Sequence, residues 1–298
     1  VAGLALSAAA CITGMDPDKR AQLPYPEEGI PNEVIVHKRN RVGYDFAIRQ
    51  AGGKLVLIGT DEGATAEDLE AAINERTVAI FYFYNVIRMQ GQVPLVQGID
   101  IAHQRGIPLI VDAAAQIPPV ENLCRFTHMM GADLALFSGG KGLCGPQSSG
   151  LIVGRRDLIQ ACAFNACPRG FIGRPMKVGK EEMVGLMAAI KWYLNRDHRK
   201  LMETYEHQVQ YVIDAFADSP YAAARRSFPS EAGQPMPRAE IIFDAPEITR
   251  DEILGQLREG EPSIALAPAG TNGVYLNPQT LIPGQEKIIV KRVKEILS

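Results

Sequence analysis

Six short apolar runs recur through the first half of the chain, and they constrain its fold more than any other feature. They are Glu33-Val-Ile-Val-His37, Lys54-Leu-Val-Leu-Ile58, Val78-Ala-Ile-Phe-Tyr-Phe83, Pro108-Leu-Ile-Val-Asp112, Leu134-Ala-Leu-Phe-Ser138 and Gly150-Leu-Ile-Val153. Their mostly continuous apolar character is that of strands buried on both faces. Helical patterns lie between several of them. Thr65 to Arg76 opens with Thr65 and Asp68 in capping-box spacing, and Val96 to Arg105 is a second helix. Strands alternating with helices predict a mostly parallel sheet covered on both faces.

The pattern changes near residue 180. Glu181 to Asn195 carries Met183, Leu186, Met187, Ile190 and Leu194 at helical spacing, and the helix is expected to continue through the polar stretch to Phe216. A Ser-, Pro- and Ala-rich connection with one strand follows. Then come Ala239-Glu-Ile-Ile-Phe243, a helix over Thr249–Glu259, two short strands and a closing helix over Pro283–Leu297. With 298 residues, the chain exceeds what one hydrophobic core usually supports. The expected division is a large α/β domain over residues 1–199 and a small C-terminal α/β domain over 200–298.

Composition excludes several classes. Apolar residues are 46% and charged residues 22%, which is globular usage. A formal net charge of −3 leaves no excess positive field for a polyanion, so nucleic acid is not an expected partner. No stretch holds 18 consecutive apolar residues, so no membrane span is expected. The opening run Val1 to Ala10 has no positive charge ahead of it and reads as an internal helix of a longer chain. Five scattered cysteines, without zinc-type pairs, favour a reducing, cytoplasmic compartment. The acidic turns Asp16-Pro-Asp18 and Asp61-Glu62 lack metal-ligand spacing, and no metal site is expected.

The chemistry gathers at two strand ends. Asp112 closes one predicted buried strand and begins Asp112-Ala-Ala-Ala-Gln116. Ser138 closes another, and Lys141 follows in Ser138-Gly-Gly-Lys141. Ligands of open α/β sheets bind at the carboxyl ends of strands. Taken singly, an Asp there also serves as a turn or helix cap, and the lysine of such a loop is commonly solvated. Together, a buried carboxylate and a lysine each need a reason to be there. Pyridoxal phosphate supplies both: its carbonyl carbon condenses with a lysine, and its protonated ring nitrogen pairs with a carboxylate. The neighbouring glycines are expected to leave room for the flat cofactor and free the backbone to turn. The Ser138 hydroxyl is a donor for the phosphate. The loop is not a Walker motif, because Gly-x-x-x-x-Gly-Lys-Ser/Thr is absent.

At these residues the sequence resembles a known family. The segments Asp112–Gln116, Phe137-Ser-Gly-Gly-Lys-Gly-Leu-Cys-Gly-Pro-Gln-Ser-Ser-Gly150 and Ile172-Gly-Arg-Pro-Met-Lys-Val-Gly-Lys-Glu-Glu182 are similar to the selenocysteine-synthase-like branch of fold-type-I pyridoxal-phosphate enzymes, and within it to the D-glucosaminate-6-phosphate ammonia lyases. The resemblance implies a seven-stranded-type sheet in a cofactor domain, a small C-terminal domain, and a homodimer or higher assembly. It implies Lys141 as the Schiff-base lysine, Asp112 as the ring-nitrogen partner, Ala114 against a ring face and Gln116 toward the ring hydroxyl. Relatives often place a ring-stacking group near residues 39–41, where this chain has Asn40. His37 reads as a core histidine. Relatives also carry a Gly-rich phosphate cup ahead of the first helix, and only Ala2-Gly3 of it remains here.

Arg174 and Lys177 place two cations just before a helix. They read either as a solvated cluster or as an anion site for substrate carboxylate or phosphate. Ser263-Ile-Ala-Leu-Ala-Pro268 is apolar where relatives often have an arginine. The expected activity is a pyridoxal-phosphate-dependent lyase performing α,β-elimination and deamination of an anionic amino acid or amino-sugar acid phosphate. The alternatives are an L-seryl-tRNA(Sec) selenium transferase-like enzyme and a non-catalytic protein of the same fold.

Overall fold

The computed structural model describes residues 1–298. The chain divides into two units, Val1–Arg196 and Asp197–Ser298. The first holds helices α1 (Ala2–Thr13) and α2 (Pro17–Gln22), strand β1 (Glu33–His37), α3 (Phe46–Gln50), β2 (Lys54–Ile58), α4 (Ala66–Ala72) and β3 (Thr77–Phe83). It continues through α5 (Leu95–Gln104), β4 (Leu109–Asp112), α6 (Asn122–Cys124), β5 (Leu134–Ser138), β6 (Gly150–Gly154), α7 (Arg156–Asn165) and α8 (Lys180–Leu194).

The sheet order is β2-β1-β3-β4-β5-β6, parallel except that β6 runs antiparallel to β5. Six strands form, matching the six apolar runs; the seven-stranded count came only from the family resemblance. Alternation along each strand sorts the side chains into two cores. Ile35, Ile80, Tyr82, Leu109, Val111 and Phe137 face a layer that includes Leu69 of α4, Ile99 of α5 and Leu186 of α8. Val34, Val36, Phe81, Ile110, Leu134 and Leu136 face α1, α3 and α7. The helix expected at the chain's opening forms as α1. Its Ala8 and Ala9 are wholly buried, and their small side chains let the helix lie close to α7 and α3. Two strands differ from expectation: β2 and β6 are the sheet's edges and only part-buried, with Leu57 exposed.

His37 is a core histidine. Its ring meets Tyr82 edge-on at 4.5 Å, and burial lowers its pKa to about 4, so it is neutral at pH 7.

The long helix expected to run to Phe216 is instead two. α8 ends at Leu194, and α9 (His198–Ala215) starts anew with Asp197 as N-cap, its carboxylate accepting the Lys200 N–H at 2.9 Å. The cap competes with helix continuation, and a polar stretch offers little packing to resist it. The second unit adds β7 (Ala222–Ser227), β8 (Arg238–Phe243), α10 (Arg250–Glu259), β9 (Ala267–Ala269), β10 (Gly273–Leu276) and α11 (Gln285–Leu297). Its strands form an antiparallel sheet, β7-β8-β10-β9, with a core that includes Val212, Ile241, Ile253, Val274 and Val293. No helix is long and apolar enough to cross a membrane.

Candidate active site

β2 and β3 flank β1 on opposite sides, so the strand order reverses there. In such sheets the carboxyl edge beside the reversal is where ligands bind. His37, Phe83, Asp112 and Ser138 end their strands on that edge.

Asp112 is the part-buried carboxylate of this edge. It accepts one hydrogen bond, from the Ala114 N–H at 3.0 Å, and has no ion-pair partner within reach. Loss of solvation raises its pKa above the ordinary 3.8, opposed by the Ala114 N–H and, more weakly, by the positive charges of the Val1 amino group and then of Lys141. Ala114 joins two strand ends. Its N–H serves Asp112, and its carbonyl accepts the Ser138 N–H at 3.4 Å. The Ser138 hydroxyl is half-buried at the end of β5.

Lys141 is exposed in the loop that leaves β5. The glycines around it are not there to free the backbone for a turn. Gly139, Gly140 and Gly142 do not adopt left-handed backbone. They permit close approach instead. A Cβ on Gly142 would lie 2.0 Å from the Ile117 carbonyl oxygen, and one on Gly139 would lie 2.0 Å from Ser149 Oγ. The lysine loop is therefore pressed against the segment that follows Asp112, and that contact by itself requires glycine. The loop also rests on α8. A Cβ on Gly139 would meet Leu186 at 3.0 Å and one on Gly145 would meet Ala189 at 3.1 Å.

Gln116 is buried, and its Nε2 donates to the Tyr84 carbonyl at 3.1 Å. Its own carbonyl accepts from Asn122 Nδ2 at 2.7 Å. Here the residue braces the turn after Asp112 against the end of β3. Sequence reading missed that role because the Tyr84 carbonyl is 32 residues away. Asn40 is buried too, and its Nδ2 donates to Met89 Sδ at 3.0 Å. Arg174 opens a short 3-10 turn over Arg174–Met176, with Lys177 after it and α8 beginning at Lys180. Both cations are exposed and neither forms an ion pair. Asp112, Ala114, Ser138 and the Lys141 loop are thus drawn together, while Arg174 and Lys177 stand at the entrance to the helix that supports that loop.

These residues fit pyridoxal phosphate. A part-buried, desolvated carboxylate with a single neutral hydrogen-bond donor has no cation in contact, and a protonated ring nitrogen would be such a cation. Lys141 has no partner that would hold its amine away from a carbonyl carbon.

Residues 43–207 match the L-seryl-tRNA selenium transferase (SelA) family. The chain is 35% identical to D-glucosaminate-6-phosphate ammonia lyase of Salmonella typhimurium, over 99% of this chain and 78% of that protein. It is 31% identical to the 5'-C-glycyluridine monooxygenase-decarboxylase of a Streptomyces species, over 99% of this chain and 74% of that protein. A solved structure of D-glucosaminate-6-phosphate ammonia-lyase superposes with a TM-score of 0.84 at 33% identity, covering 99% of this chain and 79% of that one.

The chain belongs to the SelA family. Its fold is that of the type I pyridoxal-phosphate enzymes. The family resemblance carried by the motifs within residues 112–182 is correct, and the match covers 99% of the chain.

Proposed function

We propose that the protein is a pyridoxal-phosphate-dependent ammonia lyase acting on an anionic β-hydroxy amino acid of the amino-sugar-acid type. The net reaction removes ammonia and moves oxidation within the substrate: the β-hydroxyl leaves with the α-proton as water, and hydrolysis of the resulting enamine gives a 2-keto acid and ammonia. The observation that carries this reading is the 35% identity to an ammonia lyase across 99% of the chain. The net charge of −3 speaks against a tRNA partner, which disfavours the selenium-transferase alternative.

Bound pyridoxal phosphate would supply a carbonyl carbon for the amine and an aromatic ring that accepts electrons from the α-carbon. The chain's own residues do the rest. The Asp112 carboxylate holds a proton on the ring nitrogen, because a charge pair there relieves its desolvation. Ser138 donates its hydroxyl to the phosphate. Ala114 presents a small side chain beside the ring and leaves its backbone to order Asp112. Lys141 would hold the cofactor through its amine, and that amine, when free, would take the proton from the substrate's α-carbon. Arg174 and Lys177 bind the substrate's distal anion.

The proposed assembly is a homodimer or larger homo-oligomer in the cytoplasm. Met183, Val184 and Met187 form an exposed apolar patch on α8, the helix under the lysine loop, which supports self-association at that face. The test is direct. The protein with added pyridoxal phosphate should show a visible absorbance band and release ammonia from D-glucosaminate 6-phosphate. A band without ammonia from any β-hydroxy amino acid would remove the lyase reading and keep the cofactor.

A further inference from the structure

The segment from Asn85 to Gln92 leaves β3 at the same sheet edge, and its root is bound to the site: the Tyr84 N–H donates to the Asp112 carbonyl at 3.0 Å. Its sidedness is reversed. Val86 and Ile87 are 48% and 44% exposed, whereas Gln92 is 93% buried by its 7% exposure. Both polar atoms of the Gln92 carboxamide are shut off from solvent, and neither has a hydrogen-bond partner. Two neighbours along this edge share the defect. Asn40 Oδ1 and His37 Nε2 are also buried and unpartnered. Asn40 contacts the segment through Met89, and the His37 ring packs on Tyr82, whose hydroxyl donates to the Val93 carbonyl at 3.4 Å. Two of the four orphaned polar atoms thus belong to the segment, and the other two belong to residues linked to it through Met89 and through Tyr82.

A buried amide with both halves unpaired lowers stability, and a methionine of similar size would fill the same space without that loss. Groups that weaken the fold in this way are expected where function uses them. The segment is held from outside as well. Arg39 Nη1 donates to the Glu62 carbonyl at 2.7 Å and to the Gln90 carbonyl at 2.9 Å, and the Ala64 N–H donates to the Gly91 carbonyl at 3.0 Å. These bonds clasp backbone, so they leave the Gln92 side chain uncommitted.

We infer that Gln92 is a specificity-determining residue whose carboxamide receives a hydroxyl group of the substrate, with the Asn85–Gln92 segment shifting to admit it. This rests on the lyase reading above and names the part of the substrate that reading leaves open. The chemistry selects a hydroxyl. An amide with a free donor and a free acceptor matches a group that both accepts and donates. A phosphate or carboxylate uses only the donor and is repelled by Oε1. Because both atoms are closed to solvent, the segment must move, and its outward apolar pair and inward amide give it an alternative arrangement to move toward.

The experiment compares the parent with Gln92→Met. The probe is gluconate 6-phosphate, which has hydroxyls and a phosphate but no amine to react. O-phosphoserine, which lacks a free hydroxyl, is the control. Gln92→Met should melt at a higher temperature than the parent, bind gluconate 6-phosphate about tenfold more weakly or worse, and bind O-phosphoserine unchanged. Equal affinity of parent and variant for gluconate 6-phosphate would overturn the inference. So would a lower melting temperature for the variant, which would mean that the amide is satisfied inside the fold. A selective loss of gluconate 6-phosphate binding in a protein that releases no ammonia would sink the lyase reading and leave the hydroxyl site standing.

Discussion

Two aspartates at the ends of neighbouring strands, Asp133 buried and Asp112 part-buried, are treated in opposite ways. Asp133 sits just ahead of β5, at the amino edge of the sheet. It is saturated: Arg155 Nη1 lies at 2.6 Å, the Leu109 N–H donates at 2.8 Å, and His103 Nε2 lies at 3.0 Å. Asp112 ends β4 at the carboxyl edge, with one N–H donor and no cation in contact. A saturated buried carboxylate locks strands and helices together. An unsaturated one is a standing demand for a positive group that the fold does not supply. The difference supports the proposal that one edge is structural and the other functional, without reference to any relative.

The largest effect tests the functional edge. Lys141→Ala should abolish the visible absorbance band and lower turnover by about 10³-fold or more, with little change in melting temperature, because the side chain is exposed. Reductive labelling of a different lysine in the active protein would refute the assignment.

Next in size is the contrast between the two aspartates. Asp133→Asn strips the charge from a carboxylate that serves a partly exposed arginine and a buried N–H. It should cost about 2–3 kcal/mol of stability, less than a wholly buried pair because Arg155 is half in solvent. Turnover per folded molecule should not change. Asp112→Asn should lower turnover about 100-fold or more, since a neutral amide cannot hold the ring nitrogen cationic. Denaturant titration and kinetics of both variants, measured side by side, decide whether the edges differ as described.

How far the sequence carried this picture depends on the range of each signal. Six continuous apolar runs announced six strands, since burial on two faces leaves a purely local trace. Asp112 and Lys141 were visible because each ends or follows such a run. What escaped was set by contacts distant in sequence. The role of Gly142 depends on the Ile117 carbonyl. Gln116 is committed to Tyr84 through a pairing that no local pattern reveals. The edge positions of β2 and β6 follow from sheet order, which apolar content alone does not encode. The break between α8 and α9 has a local signal, Asp197 as an N-cap, which the helical periodicity on either side masks.

A smaller effect concerns the approach to the site. Arg174 and Lys177 are exposed and unpaired, so removing either should leave stability nearly unchanged. If they bind the substrate's anion, each alanine substitution loses about 1.5–3 kcal/mol of binding, the usual worth of a charged hydrogen bond. That corresponds to a ten- to hundredfold rise in KM at constant cofactor content, and to much less for an unphosphorylated substrate. Equal, small changes with both substrates would show a solvated cluster instead.

The smallest effect is the most direct test of the comparison, because it needs no substrate. Burial raises the Asp112 pKa above 3.8, so the folded protein binds this proton more tightly than the unfolded chain does. Stability from this group is therefore present at low pH and declines as pH rises from 3.8 through the folded value. At pH 7 the ionised carboxylate is a net burden on the cofactor-free fold. Asp112→Asn removes it, so the cofactor-free variant should melt above the parent at pH 7. The gap should narrow on acidification toward pH 4, where the parent's carboxyl is increasingly neutral. Added pyridoxal phosphate should then raise the parent's melting temperature more than the variant's, because only the parent gains a charge pair. Asp133→Asn should do none of this: its melting temperature lies below the parent's at pH 7, with or without cofactor. If cofactor-free Asp112→Asn also melts below the parent at pH 7, the carboxylate of Asp112 is held by the fold as firmly as that of Asp133, and the two edges of the sheet are alike.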